Sequence, residues 1–241
     1  MSQAASQTLG IAVPRAAVQH GQLTYWLSIF FGSTIGRKIV MAATGVVLFG
    51  FVVGHMLGNL QVFLGPEKLN AYAHLLQSMG SLLWVVRIGL LAAVALHAWS
   101  ATTLTLSNWR ARPVGYRQTR YLESTYASRT MVWGGPLLAT FIVYHILHLT
   151  VGSAHPAFDA TDVYANVVRG FSLWPVSAVY IAAMLALGLH LYHGVWSMLQ
   201  TVGLSHPRYD ALRTVFSTAF AVVVAAGNIS IPVAVLTGVV R

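Results

Sequence analysis

Cysteine is absent from this chain of 241 residues, and acidic residues are scarce, with five Asp and Glu against fourteen Lys and Arg. Without cysteine the chain forms no disulfide, thiolate metal site or cysteine-bound iron–sulfur cluster of its own. Charged residues make up only 8% of the sequence and hydrophobic residues 56%, whereas soluble domains average about 25% charged. The net charge of +9 therefore indicates basic loops at a membrane and no nucleic-acid partner.

Long apolar runs fill most of the chain. A helix needs about 20 mainly apolar residues to cross a bilayer, and five segments have this length: 34–63, 82–107, 130–151, 174–202 and 211–239. Short polar links with turn-forming residues separate them. We predict an all-α integral membrane bundle of five transmembrane helices over 34–241. A cytoplasmic or interfacial segment, 1–33, precedes the bundle, and we expect no removable signal peptide in it.

The basic residues are unevenly shared between the two sides of the predicted bundle. Ten lie before the first span, at the cytoplasmic ends of spans, or in the second and fourth links, and four lie on the opposite side. Because basic loops stay in the cytoplasm, we expect a multi-pass protein of the inner (cytoplasmic) membrane. Its amino terminus is then cytoplasmic and its carboxyl terminus lies outside.

Six of the ten histidines lie within the predicted spans: His55, His97, His145, His148, His190 and His193. Ionisable side chains at membrane depth are costly and usually face the bundle interior. The helical rise puts His55 and His145 about 12 and 9 Å from the outer ends of spans one and three. It puts His97 and His190 about 15 and 18 Å from the cytoplasmic ends of spans two and four. Four helices thus bring histidines that pair by depth.

Two imidazoles that face each other across a bundle are suited to six-coordinate haem iron. Small residues recur beside two of these histidines: Gly50, Gly54 and Gly58 near His55, and Gly188 and Gly194 near His190. They either make space for a porphyrin or let helices pack closely. Two other interpretations stay open: single histidines bonded to backbone groups, and a four-histidine dinuclear centre on spans three and four. The second would lack the carboxylates that di-iron sites recruit.

The histidines and their flanks occur in four stretches: GRKIVMAATGVVLFGFVVGHMLGNLQVFLGPEKLNAYAHLLQ (36–77), ALHAWSA (95–101), FIVYHILH (141–148) and HLYHGVWSMLQTVGL (190–204). In these stretches the chain resembles the cytochrome b membrane subunit of succinate:quinone oxidoreductase, of the single-chain, five-helix, two-haem type. The resemblance implies a distal b haem held by His55 and His145 and a proximal b haem held by His97 and His190. Gly194, Trp196 and Ser197 match the family element that follows the ligand in span four, which favours His190 over His193.

The resemblance also implies a function. A flavoprotein subunit would oxidise succinate, and an iron–sulfur subunit would pass electrons to this chain, which would reduce menaquinone as the quinone-reacting subunit. Both partners would bind at the cytoplasmic face, where the basic link 109–129 is the expected docking surface.

Five residues near the cytoplasmic side are candidate contacts of a cofactor. Ser33, Arg37, His193 and Trp196 are candidates for holding a quinone head group. Arg37 and Arg129 begin spans and are candidates for pairing with haem propionates or a quinone carbonyl, although they also serve topology. His193 is equally a candidate for bonding a propionate or a backbone carbonyl.

Other polar residues have less specific roles. His148 is a candidate for bonding a haem propionate, a quinone or a backbone carbonyl. Glu67 matches a family position near the outer haem and is a candidate for exchanging protons there, or simply begins a helix after Pro66. We expect the histidines in links and tails to be solvated: His20, His74, His155 and His206.

Two rival functions belong to other classes. A quinol-oxidising respiratory cytochrome b carries two histidines on each of two helices. Here the four chosen histidines are spaced by 42, 48 and 45 residues, one per helix, which excludes that design. The alternative is a haem-free, histidine-lined proton or metal transporter, which would lack an intramembrane carboxylate and the broken helix pair typical of transporters.

Overall fold

The computed structural model describes residues 22–112, residue 114 and residues 125–241. Most of the predicted segment 1–33, including His20, lies outside the described residues, as does the central part of the basic link 109–129. The described chain is all-α. Five of its helical stretches are long and apolar enough to cross a membrane, which confirms the predicted fold class and a multi-pass membrane protein.

The described residues form eight α-helices: α1 (Gln22–Gly32), α2 (Thr34–Asn59), α3 (Pro66–Ser78), α4 (Ser81–Arg110), α5 (Tyr126–Ile146), α6 (Val163–Ser172), α7 (Trp174–Thr201) and α8 (Asp210–Leu236). A 3₁₀ turn, Leu60–Leu64, extends α2, and a π-helical turn, Leu147–Val151, extends α5. The five spans are Thr34–Leu64, Ser81–Arg110, Tyr126–Val151, Trp174–Thr201 and Pro207–Leu236.

Local signals in the sequence set several of these boundaries. The Ser33 hydroxyl accepts from the Gly36 backbone N–H and begins α2, and Thr125 caps α5 in the same way. The π-helical turn after α5 stops at Gly152, whose φ of 85° suits a residue without a side chain. The fifth span begins earlier than predicted, so Asp210 stands at its first turn, where it forms a salt bridge of 2.8 Å with Arg213.

The bundle has two ends, named here for the chain. The N-side is the end at which α2 begins, and the C-side is the end at which α8 finishes. The Arg37 guanidinium, in the first turn of α2, donates to the Ser107 hydroxyl, near the end of α4, over 3.1 Å. The first two spans are therefore antiparallel, and α4 returns the chain to the N-side.

Neighbouring spans pack in a definite order: α2 against α4, α5 against α7, and α7 against α8. In the middle of the bundle, Met56 of α2 packs with Leu191 of α7 and Val224 of α8. Many large apolar side chains point outward, among them Val46, Leu57 and Val223, as expected for helices whose outer faces contact lipid.

A polar cap closes the C-side of the bundle. The Asn70 side chain, on α3, donates to the Asp162 carboxylate and accepts from the Tyr164 backbone N–H, each over 2.9 Å. Asp162 also begins α6 by accepting from the Ala165 backbone N–H. These bonds to Ala165 and Asn70 lower the pKa of the Asp162 carboxyl. The cap fixes α6 over the ends of α5 and α7.

Candidate functional site

Two pairs of histidine rings meet inside the bundle. On the C-side, His55 of α2 faces His145 of α5, with ring centroids 5.6 Å apart and ring planes at 89°. On the N-side, His97 of α4 faces His190 of α7, with centroids 6.1 Å apart and planes at 59°. We call these the C-side pair and the N-side pair. They bring together the histidines that the sequence places at matching depth.

The spacing of both pairs fits one metal ion between two imidazoles. A metal bound by two opposed imidazole nitrogens, each at about 2 Å, leaves the ring centroids about 6 Å apart. Among the described helices, α2 with α5 and α4 with α7 are not closely packed pairs. Each histidine pair therefore bridges a gap between helices whose backbones stay apart, which is the arrangement that a flat group bound through its centre requires.

The hydrogen bonds of His97 fix which of its nitrogens is available to a metal. Its Nδ1 lies 3.2 Å from the Met41 carbonyl oxygen, which only accepts, so Nδ1 carries the proton. The Thr44 oxygen, also at 3.2 Å, accepts from the same N–H, since its own hydroxyl donates to the Val40 carbonyl. The lone pair of neutral His97 is therefore on Nε2. Metal-binding histidines typically donate their other ring N–H to a carbonyl or carboxylate oxygen in this way.

His145 has a comparable partner, and His190 does not. The Nδ1 of His145 lies 3.3 Å from the Tyr180 hydroxyl oxygen of α7. The Nδ1 of His190 is buried without a hydrogen-bond partner within the described part of the chain. The His55 ring stacks on Phe51 with centroids 5.3 Å apart. The four rings are thus held in different ways.

His148 and His193, which follow His145 and His190 by three residues, lie in different surroundings. His148 is fully buried, and its Nδ1 lies 2.9 Å from the Tyr180 hydroxyl. His193 is half-buried, and it is His190 whose ring meets His97. Across residues 22–112, 114 and 125–241, no three or more metal-ligating side chains gather. Pairs, and not a four-histidine centre, are what the fold assembles.

The glycines near the histidines do not share one role. A Cβ on Gly58 would collide with the Tyr72 ring, and one on Gly188 would lie 3.3 Å from the Ala225 Cβ, so close packing accounts for both. Gly50, Gly54 and Gly194 have open space where a Cβ would lie. Helix packing within the described chain therefore explains only part of the pattern.

Four of the candidate quinone contacts on the N-side, Ser33, Arg37, Trp196 and Arg129, already have structural partners. Ser33 caps α2, and the Arg37 guanidinium donates to the Phe31 and Gly32 carbonyls as well as to Ser107. The Trp196 ring lies under the buried Arg213 guanidinium, 4.2 Å from its centroid. Arg129 lies in the first turn of α5, 6.0 Å from the Tyr126 ring centroid.

An apolar cleft of about 320 Å³ opens between α2 and the end of α7 on the N-side. Its lining consists of Ile39, Ala42, Ala43, Val46, Thr201 and Val202. Ser33, Arg37, His193 and Trp196 are absent from that lining, so the cleft and the candidate quinone residues are separate features of the N-side.

Glu67, His74 and His155 lie near the C-side, and His206 lies in the N-side link between α7 and α8. Glu67 is exposed in the first turn of α3, directly after Pro66. His74 and His206 are exposed, as predicted. The expectation of a solvated His155 is wrong: only 9% of this residue is exposed, because its Nε2–H donates to the Asn166 carbonyl and its Nδ1 accepts from the Ala157 N–H.

Sequence reasoning missed Tyr180 and Thr44, the side chains that contact Nδ1 of His145 and His97. Tyr180 lies 35 residues from His145, and Thr44 lies 53 residues from His97. One signal was present: a tyrosine within an apolar span has a hydroxyl that needs a partner when buried. The sequence alone does not say which partner.

Comparisons with protein-family models, curated proteins and solved structures find no match to this chain.

Proposed function

We propose that this chain is a di-haem cytochrome b that anchors a succinate dehydrogenase or fumarate reductase in the cytoplasmic membrane. The observation that carries the proposal is the pair of histidine contacts at two depths, with centroids 5.6 and 6.1 Å apart. His55 and His145 would hold one b haem, and His97 and His190 the other. A b haem held by such an imidazole pair would supply reversible one-electron transfer.

The chain's own residues provide the surroundings for this chemistry. The Met41 carbonyl keeps the lone pair of His97 on Nε2, and His97, His145 and His190 are half-buried, whereas His55 is exposed. Histidine ligands that stay neutral avoid placing extra charge at membrane depth. Because α2 with α5 and α4 with α7 are not closely packed pairs, a flat group at each pair would lie between two helices.

The proposed reaction exchanges electrons between an iron–sulfur partner subunit and menaquinone, while a flavoprotein subunit oxidises succinate. The absence of cysteine agrees with iron–sulfur centres on another chain. Apart from Asp210, which begins the last span in a salt bridge with Arg213, the spans contain no Asp or Glu. Protons for the quinone would therefore come from the links at either end, with Glu67 and Asp159 as exposed carboxylates on the C-side.

A redox difference spectrum of the purified complex, with haem and polypeptide both quantified, tests the proposal. We expect a reduced α band of b-type haem and two haems per chain. Succinate should reduce part of this haem when the partner subunits are bound. A complex without haem would reject the cytochrome and favour the histidine-lined transporter. A haem-containing chain that copurifies without a flavoprotein would reject the succinate-linked role.

A further inference from the structure

The Tyr180 hydroxyl lies between two histidines on the C-side. It is 3.3 Å from Nδ1 of His145 and 2.9 Å from Nδ1 of His148. Tyr180 itself is 6% exposed, and the Phe141 and Phe171 rings contact it edge-on with centroids at 5.0 and 4.8 Å. These aromatic neighbours leave the hydroxyl little freedom to move away from the two imidazoles.

The protonation of His145 sets the direction of the two hydrogen bonds of the Tyr180 hydroxyl. If His145 binds a metal through Nε2, its Nδ1 is protonated and donates to the Tyr180 oxygen. The Tyr180 O–H then donates to Nδ1 of His148, which accepts. One hydroxyl therefore serves both histidines, as acceptor for the first and donor to the second.

His148 is held firmly enough to act as that acceptor. Its ring is fully buried and stacks on Tyr144 and His155, with centroids 5.5 and 4.9 Å away. A Cβ on Gly170 would lie 2.8 Å from its Cε1, so α6 leaves no room for the ring to turn. The π-helical turn that carries His148 directly follows Ile146. The C-side cap thus positions His148, and His148 orients the Tyr180 hydroxyl.

We propose that Tyr180 is a positioning residue for the C-side pair and, with His148, sets the redox potential of the group bound there. The inference rests on the proposed function. A hydrogen bond accepted from Nδ1–H makes an imidazole a more basic ligand, and a more basic axial ligand favours the ferric state. Removal of the hydroxyl should favour the ferrous state at the C-side alone.

The N-side offers an internal comparison. His97 donates to two acceptors, the Met41 carbonyl and the Thr44 hydroxyl oxygen. A substitution of Thr44 leaves the carbonyl in place, whereas the contacts of His145 include no second acceptor in the described chain. We therefore expect Tyr180 to have the larger effect on its own pair.

The test is a potentiometric titration of both haems in the intact complex carrying Tyr180→Phe. We expect both haems to remain, and the ferric-to-ferrous ratio of the C-side haem at fixed potential to fall about tenfold, or about 59 mV for one electron. The N-side haem should not change. Thr44→Val should shift only the N-side haem, by less.

Tyr144→Phe is the matched control, because Tyr144 stacks on the same His148 ring and no hydrogen bond of its hydroxyl appears within the described chain. An unchanged C-side potential in Tyr180→Phe, or an equal shift in Tyr144→Phe, would overturn the inference. Should Tyr180→Phe fail to accumulate, His148→Phe removes the acceptor of the hydroxyl. It should shift the C-side haem in the same direction, and no shift would count against the inference. A wild-type complex without haem would instead defeat the proposed function.

Discussion

The two histidine pairs have similar ring spacings but different hydrogen-bond acceptors for their Nδ1 protons. On the N-side, the proton of His97 is directed by a main-chain carbonyl of the helix packed beside it. On the C-side, His145 depends on a side-chain hydroxyl of α7, which is itself held by His148 and the cap. A backbone acceptor persists through most substitutions, whereas a hydroxyl is lost with one atom. We therefore expect the hydrogen bond of His97 to persist through most substitutions nearby, and that of His145 to change with a single substitution.

The largest effect should come from removing a ligand, because each ligand belongs to one pair and its loss should abolish haem binding at that pair alone. His190→Ala should lower the haem content from two per chain to one and remove the N-side signal, and His145→Ala should remove the C-side signal. Haem quantification with a resolved redox titration measures both. His193→Ala is the matched control and should keep two haems. Loss of haem in His193→Ala with retention in His190→Ala would mean that the N-side ligand is wrong.

A smaller effect should follow from crowding one pair without touching its ligands. A Cβ on Gly45 would lie 3.7 Å from Cε1 of His97, so the longer side chain of Gly45→Leu should displace the ring. We expect haem binding at the N-side to weaken by about 10–100-fold, the usual cost of disturbing the surroundings of a ligand. The C-side haem should stay.

Haem titration of the depleted complex measures this difference. Gly89→Leu, also on the first two spans' packed pair but at a position of α4 with open space where a Cβ would lie, should leave both haems bound. Equal weakening of both haems in Gly45→Leu would contradict the separate support of the two pairs.

The smallest effect concerns the C-side cap. Asp162→Ala removes the capping acceptor of α6 and should lower the free energy of unfolding by about 1 kcal/mol. Because the folded-state pKa of Asp162 is lowered, the stabilisation is present above the ordinary Asp pKa of about 3.9. It is lost as the pH falls through the lower folded value.

Thermal unfolding followed at the C-side haem, from pH 7 down to acid, gives the measurement. Wild type and Asp162→Ala should differ at neutral pH and converge in acid. Asp162→Ser, which keeps a capping oxygen, should recover part of the loss without this pH dependence. A difference that persists below the folded pKa would show that the carboxylate is not what stabilises α6.

The sequence predicted more of the helices than of the contacts between them. The spans at Trp174–Thr201 and Thr34–Leu64 lie within one residue of the predicted limits, because length and apolar character fix a membrane helix locally. The fifth span began four residues early because the short turn at Pro207 joins it. His155 was misjudged because its burial depends on α6, an element separated from it by the turn that follows.

Depth is the property that the amino-acid sequence determined by itself. Rise per residue is constant along a helix and consecutive spans reverse direction, so the levels of His55, His97, His145 and His190 follow from counting. Tertiary structure decided the rest: that His145 and not His148 faces His55, and that Tyr180 contacts both. The rotation of each helix about its axis, and the neighbour it meets, depend on packing against residues far away in the chain.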